Sequence, residues 1–349
     1  LRVYPPSAEV RGHGPGQEVL QTGKRGVEIR SLEPVGSYAV QPVFSDGHST
    51  GIYSWDYLYE LGDRQDALWT EYLQKLAAAE LGINAGAKVS YRSGDQPNNA
   101  FSLNVLSPGE TAATAGTSGV IYSVTEHNAF DPASRVNTFI HVNNAAAKRS
   151  NGVLLCINGT GILNSWLRRN TKTNSDPYDY AAMNQLASGV PVGAEGLSIL
   201  PFGNGAERIL GNRTINASFG NLDFNRHTQA HLFRATQEGI VFSLKYGFDI
   251  LQGMGLKTNV IRAGNANMFL SPVFREAFVN TTGARLELFD TEGAKGAALG
   301  AGVGAGIYRN FNECFRGLNV IGHEEATAGK AEQYLKAYDN WKTHLNKYI

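Results

Sequence analysis

A chain of 349 residues in which 31 Lys and Arg balance 31 Asp and Glu is long enough for two hydrophobic cores and has no overall basic field to draw it to nucleic acid or an anionic membrane. Its two cysteines, Cys156 and Cys314, give neither a metal-ligand spacing nor a disulfide framework, so a reducing, cytoplasmic setting is expected. The start Leu1-Arg2-Val3-Tyr4-Pro5-Pro6 lacks the apolar run of a signal peptide, and Leu in place of Met suggests a fragment or a trimmed sequence.

Residues 1–81 read as a short strand-rich module closed by a helix. Apolar positions alternate over 26–31 and 38–44, and Asp46-Gly47 is a hairpin signal before 50–53. Leu58, Leu61, Leu68, Tyr72, Leu73 and Leu76 then recur at helical spacing, with Gly62 as the expected break. From Lys88 the pattern becomes that of an α/β domain. Lys88-Val89-Ser90-Tyr91 predicts a strand running into Ser93-Gly94-Asp95-Gln96, and 111–124 predicts two strands around Gly116-Thr117-Ser118-Gly119. A long helix is expected over 228–253, a strand over 259–263, and a further helix from about Leu270. The glycine-rich 296–308 stretch falls short of the roughly 20 residues that cross a bilayer and reads as a buried helix. From Glu325 a terminal amphipathic helix carries Tyr334, Leu335, Tyr338, Trp341, Leu345 and Tyr348 on one side, a face expected to dock on its own domain.

Three turns have chemical potential, and each has a plainer use. Gly116-Thr117-Ser118-Gly119 exposes successive backbone N–H groups and two hydroxyls that can cradle a phosphate, although a simple hairpin turn is the commoner use of such a tetrapeptide. Asp95, beside a glycine at a predicted strand end, can orient a hydroxyl and accept its proton, or cap its own backbone as turn aspartates do. Gly264-Asn265-Ala266-Asn267 joins a strand to a helix, where a ligand's charged group can approach the backbone; a plain connection serves equally well.

The order of these elements resembles the carboxy-terminal half of the FGGY carbohydrate kinases, most closely the xylulokinase branch. The resemblance runs over 84–349 through Gly94-Asp95-Gln96-Pro97-Asn98-Asn99-Ala100, Ala112-Ala113-Thr114-Ala115-Gly116-Thr117-Ser118-Gly119-Val120, Leu200-Pro201-Phe202-Gly203-Asn204-Gly205-Ala206-Glu207-Arg208, the Gly264 turn, and Gly296-Ala297-Ala298-Leu299-Gly300-Ala301. It implies a ribonuclease-H-like lobe of the actin and hexokinase type, an α/β fold, preceded here by a small α+β domain. It also implies ATP with Mg2+ and a ketopentose sugar as ligands. Asp95 falls on the catalytic base, Gly116, Thr117, Ser118 and Gly119 on a phosphate loop, and Gly264, Asn265, Ala266 and Asn267 on the turn bordering the adenosine. Asn265 stands where the family usually has glycine. Glu207-Arg208 matches an element near the cleft for which packing is at least as good an account as direct contact. No metal ligand is assigned.

The family's first lobe, with its Asp-x-Gly-Thr type loop and most sugar contacts, has no counterpart in these residues. Little or no turnover is therefore expected from this chain alone, and the protein partners left open are a second copy or a separate kinase lobe. Residues 1–81 instead resemble the small domain preceding the catalytic part of γ-butyrobetaine hydroxylases, through Pro6-Ser7-Ala8-Glu9-Val10-Arg11-Gly12-His13-Gly14-Pro15-Gly16 and the run from Phe44 to Leu58. That domain binds zinc through cysteines and a histidine matched by His48. With no cysteine in this segment, a full zinc site is not expected, and His13 and His48 read as surface or turn histidines. Leu76-Ala77-Ala78-Ala79-Glu80-Leu81-Gly82 fits the end of one module and the approach to the other, which suggests a chimeric or misassembled sequence. The alternative to an incomplete kinase is a non-catalytic protein that binds nucleotide or a partner.

Overall fold

The computed structural model describes residues 1–11, 18–82, 89–171, 176 and 178–349, and the chain divides into two compact units, Leu1–Val89 and Ser90–Ile349. In the first, a short helix α1 (Ala8–Arg11) precedes strands β1 (Ile29–Val35), β2 (Ala39–Phe44) and β3 (Tyr53–Ser54), antiparallel in that order. The Asp46-Gly47 turn forms, with Gly47 at φ +84° and its N–H on the Phe44 carbonyl at 3.0 Å. The expected return strand at 50–53 does not. The Gln41 amide takes the Ser49 carbonyl, the chain leaves the ladder, and only Tyr53–Ser54 rejoins it, opposite Val40 and Ala39.

Ser54 caps helix α2 (Trp55–Asp63) through the Tyr57 N–H, and helix α3 (Gln65–Leu81) follows. The break falls at Arg64, whose φ of −100° and ψ of 15° leave the helical region, and not at Gly62. Tyr53 and Tyr72 fill the interior at 0% and 5% exposure. Their hydroxyls donate to the Leu1 and Gln21 carbonyls at 3.0 and 2.7 Å, satisfying the one polar atom each buried ring carries and fastening the irregular first residues to the strands and α3.

Asp46 binds Lys24 at 2.7 Å and Arg2 at 2.9 Å. The Lys24 hydrogen bond, with help from the His48 N–H and Arg2, holds its carboxyl down at about 2. A depressed carboxylate contributes stability that is present above the unfolded value of 3.8 and lost as pH falls through about 2. Asp46→Asn should therefore flatten the acid-unfolding curve of this unit between these values, as followed by circular dichroism, and leave the neutral-pH signal intact.

In the second unit the described residues form a seven-stranded sheet of β4 (Thr111–Ala115), β5 (Gly119–Thr125), β6 (Asn137–Ile140), β7 (Asn151–Ile157), β10 (Val260–Gly264), β11 (Arg285–Phe289) and β12 (Val320–Glu324), in the order β12-β11-β10-β4-β5-β7-β6. Strands β4, β10 and β11 are parallel; the outer pairings are antiparallel. A separate two-stranded ribbon pairs β8 (Ser198–Leu200) with β9 (Ser218–Gly220). Side chains alternate across the main sheet. Ala112, Val120, Tyr122 and Val124 pack with Ala100 of α4 (Asp95–Ser102) and with Leu103, the residue that caps its end. Ala113, Ala115, Ile121 and Leu155 face the larger core, which includes residues of α7 (Gln229–Gly253), α8 (Pro272–Thr282) and α11 (Ala328–Leu345). The remaining helices are α5 (Gly161–Asn170), α6 (Tyr180–Ser188), α9 (Gly293–Gly304) and α10 (Phe311–Cys314).

Both hairpin strands around 116–119, the long helix over 228–253 and the terminal helix form as their periodicity predicts. Tyr334, Tyr338, Trp341 and Leu345 of α11 are buried in the core, and Trp341 Nε1 donates to the Ile199 carbonyl at 2.9 Å. Leu335 and Tyr348, counted on the same face, remain 45% and 44% exposed. Beneath α11, Arg234 and Glu238 of α7 pair at 2.6 Å with side chains 5% and 2% exposed. Arg234 also donates to the Tyr334 hydroxyl, and Glu238 accepts the Gly193 N–H at 3.1 Å.

Three expectations change. Residues 89–94 are not a strand, and Lys88 lies outside the described residues. Their anchors are side chains: Ser90 Oγ donates to the Ala301 carbonyl and the Tyr91 hydroxyl to Asn98, both at 2.8 Å. The helix expected from about Leu270 begins at Pro272, capped by Ser271 after a 3-10 turn over Asn267–Leu270. The glycine-rich helix is α9, spanning Gly293–Gly304 in place of 296–308, and it is buried on one face only.

Candidate functional site

The β4–β5 turn is held from behind by the turn between β7 and α5. Gly161 and Ile162 donate their N–H groups to the carbonyls of Gly116 and Thr117 at 2.9 and 3.2 Å. This approach requires glycine: a Cβ on Gly161 would sit 2.2 Å from the Gly116 oxygen, and one on Gly159 would sit 1.7 Å from the Pro201 oxygen. Both contacts are with backbone, which cannot swing aside.

In front of the turn lies a cavity of 540 Å³. Ala115, Gly116 and Thr117 form one wall, Asn267, Met268, Leu270 and Ser271 another, and Gly161, Ile162, Asn164, Ser165 and Arg169 of α5 with Tyr180 and Asn184 of α6 complete it. The parallel pairing of β10 with β4, Ile261 beside Thr111, brings the two strand ends together. Asn267, at φ +54°, then lies next to Gly116, with Nδ2 3.7 Å from where a Cβ would stand on that glycine. The lining is mostly polar at the α5–α6 end. Arg169 donates to Ser165 at 2.7 Å, and the buried Gln237 ties Asn184 to Ser271 at 3.0 and 2.7 Å. The Asn164 Oδ1 is buried with no protein partner.

Of the eight residues expected to contact nucleotide, Gly116, Thr117 and Asn267 line this cavity. Ser118 completes the turn outside its walls. Gly119 lies under Thr160, whose Oγ1 would be 2.6 Å from a Cβ there. Gly264 packs against the Thr291 carbonyl at 2.7 Å in the same sense, Asn265 donates its N–H to Phe289 and Ala266 donates to Gly264, both at 2.8 Å. These residues shape the connection behind Asn267.

Asp95 is the first residue of α4, exposed at the helix N-terminus, and not at a strand end. Its Oδ1 accepts the Gln96 N–H at 2.8 Å, and Gln96 Oε1 accepts from Thr114 Oγ1 at 3.3 Å, one residue from the cavity wall. Helix α4 is seated on the glycine face of α9. A Cβ on Gly296 would stand 2.1 Å from the Asn98 oxygen, and one on Gly304 1.8 Å from the Ser90 oxygen. Burial raises the Cys156 thiol on β7, and the negative charges of Glu207 and Asp95 add to this. Asp95 is not a cavity wall residue.

Over most of its length the chain is similar to xylulose kinases. The enzyme of Haemophilus influenzae is 29% identical over 298 residues, covering 79% of this chain and 57% of the relative. That of Bacillus subtilis is 29% identical over 240 residues, covering 68% and 46%. The crystal structure of xylulose kinase from Rhodospirillum rubrum superposes with a TM-score of 0.65 at 22% identity, covering 78% of this chain and 54% of that one. Residues 1–59 match the family described as gamma-butyrobetaine hydroxylase-like, N-terminal. The chain is thus similar to xylulose kinases over its larger part and to a γ-butyrobetaine-hydroxylase-like amino-terminal family over its first residues. It spans about half the length of the xylulose kinases it matches.

The unit Ser90–Ile349 has the actin and hexokinase type of fold. The β7–α5 turn, Asn158-Gly159-Thr160-Gly161, and the cavity residues on α5 and α6 are not among the residues expected from the sequence. A signal was present: an apolar run over 153–157 followed by two glycines and a helix start is the pattern of a close-approach turn. Arg169, Tyr180 and Asn184 had no such signal, because only the packing of α5 beside α6 brings them together. In the small module, the His48 ring lies tilted against Phe44 with centroids 6.0 Å apart, and its Nδ1 is 4.0 Å from a Glu9 carboxylate oxygen. Burial pushes its pKa down. His13 lies outside the described residues, among which no group of three or more His, Cys, Asp or Glu could hold a metal. No helix among them is long and apolar enough to cross a membrane.

Gly161→Ala gives a direct check on the turn. Its methyl forces the Gly116 carbonyl back, so affinity for an anion-bearing ligand in the cavity should fall by about two orders of magnitude. Isothermal titration with Mg-ADP measures it; an unchanged affinity would show that the turn is not the binding element.

Proposed function

We propose that residues 84–349 are the ATP-binding lobe of a xylulose-kinase-like sugar phosphotransferase, with residues 1–81 as a separate module. In this reading the amides and hydroxyls of Gly116, Thr117, Ser118 and Gly119 take the phosphates, and the Gly264, Asn265, Ala266 and Asn267 turn borders the adenosine. Asp95 accepts the proton of the sugar hydroxyl as its oxygen attacks the γ-phosphate, a role supported by an exposed carboxylate whose neighbour Gln96 reaches Thr114 of the strand that leads into that turn. The observation that carries the proposal is the cavity in which that turn meets Asn267. Bound together with the nucleotide, Mg2+ would supply charge neutralisation at the phosphates. No group of three or more His, Cys, Asp or Glu among the described residues could hold a bare ion, and no residue of this chain is assigned to it.

Phosphoryl transfer depends on positioning and charge neutralisation from both sides of a cleft. A chain spanning 57% of a relative is accordingly proposed to bind nucleotide with little or no turnover of its own. Titration with Mg-ATP should give a dissociation constant in roughly the micromolar to millimolar range, and a coupled assay with D-xylulose should give a rate near background. Absence of binding would overturn the reading; brisk xylulose phosphorylation would overturn its second half. The alternative, a non-catalytic nucleotide- or partner-binding protein, predicts that a separately supplied first lobe restores nothing.

A further inference from the structure

We infer that Glu207 is a positioning residue for the phosphate-binding turn, acting through the 158–161 turn and not on substrate; the inference rests on the nucleotide reading above. Glu207 is fully buried at 0% exposure, and its carboxylate meets main-chain amides. Oε1 accepts the N–H groups of Asn158 and Gly159 at 3.0 and 3.1 Å, and Oε2 accepts that of Asn158 at 3.1 Å. Burying a carboxylate against neutral donors is costly, and burial pushes this one up to about 7 in spite of those two bonds.

What the carboxylate holds explains the arrangement. Two and three residues beyond Gly159 come the amides of Gly161 and Ile162, which hold the carbonyls of Gly116 and Thr117. One carboxylate and one turn therefore separate Glu207 from the cavity wall. The loop that delivers Glu207 grips the turn at further points: Asn158 Nδ2 donates to the Ala206 carbonyl at 2.8 Å, Asn204 Nδ2 to the Asn158 carbonyl at 3.3 Å, and Gly159 has no room beside Pro201. Glu207 is itself fixed by its N–H on the Arg213 carbonyl at 3.0 Å. An apolar core residue in its place would fill the same space but would leave two amides unsatisfied and the turn free to shift.

Glu207→Gln keeps the shape and sets an NH2 donor against the Asn158 N–H. Titration of the full chain with Mg-ADP and with adenosine separates positioning from general damage. Mg-ADP affinity should fall about tenfold, and adenosine affinity should stay within about twofold, because only the phosphate wall is disturbed. Equal Mg-ADP affinity in the two proteins, or parallel loss of both ligands, overturns the positioning role. A wild type that binds neither ligand overturns the nucleotide reading and this inference with it. Should the variant not fold, hydrogen exchange on the wild type decides: Mg-ADP should slow the amides of 158–162 along with 117–118, and protection of 117–118 alone rules the linkage out.

Discussion

Asp95→Asn should lower sugar-dependent ATP turnover by about 10²–10⁴-fold, the usual contribution of a positioned general base. The assay is best run with the first lobe of a xylulose kinase supplied separately, since the chain by itself is proposed to turn over slowly. The substitution is nearly isosteric, and an amide oxygen can still accept the Gln96 N–H that Asp95 accepts at 2.8 Å, so α4 should keep its start. Asp95 is not among the cavity's wall residues, and Mg-ADP affinity should therefore remain within about twofold of wild type. Loss of rate with unchanged nucleotide affinity is the signature of a base. An Asn variant that retains the restored rate would remove Asp95 from the chemistry and leave it as the helix-start residue that its contacts alone describe.

Arg234→Ala should destabilise the kinase lobe by about 3–5 kcal/mol, the cost typical of leaving one charge of a buried pair without its partner. Glu238, 2% exposed, would keep only the Gly193 N–H, and the Tyr334 hydroxyl of α11 would lose its contact with the guanidinium. Urea unfolding should show a lower midpoint with an unchanged slope. Burial already pushes the Glu238 carboxyl above its ordinary value against the pull of Arg234. Without Arg234 it rises further, so the carboxyl favours folding at low pH and that contribution is lost as pH rises through its folded value. The deficit should be smallest in acid and largest at neutral and alkaline pH. Replacing both residues by apolar ones of similar volume should recover much of the loss, since an ion pair of this kind is seldom better than a well-packed apolar pair.

Much of the fold was legible because local periodicity reports which face of an element is buried. The 228–253 stripe became α7, the Tyr334-Tyr338-Trp341-Leu345 stripe became the docking face of α11, and the β-prone runs around Gly116-Thr117-Ser118-Gly119 became β4 and β5. Errors fell where side chains, and not a ladder or a helix, hold the backbone. Residues 89–94 have strand-like composition, yet Ser90 and Tyr91 are anchored by hydrogen bonds to Ala301 and Asn98. No periodicity in 89–94 encodes a partner some 200 residues away.

The candidate site divides in the same manner. The sequence by itself determined which turns are rich in glycine and hydroxyl groups, where a carboxylate stands beside one of them, and that the chain carries two unlike modules. Only the tertiary structure decided that Gly116 and Asn267 share a cavity, since β10 pairs with β4 across a long stretch of chain. It alone decided that Asp95 opens a helix seated on the glycines of α9, and that Glu207 reaches the amides behind the Gly116–Gly119 turn. The physical reason is that a turn's residues set what its backbone can do, whereas strand pairing and close packing, which depend on the whole folded chain, set what it faces.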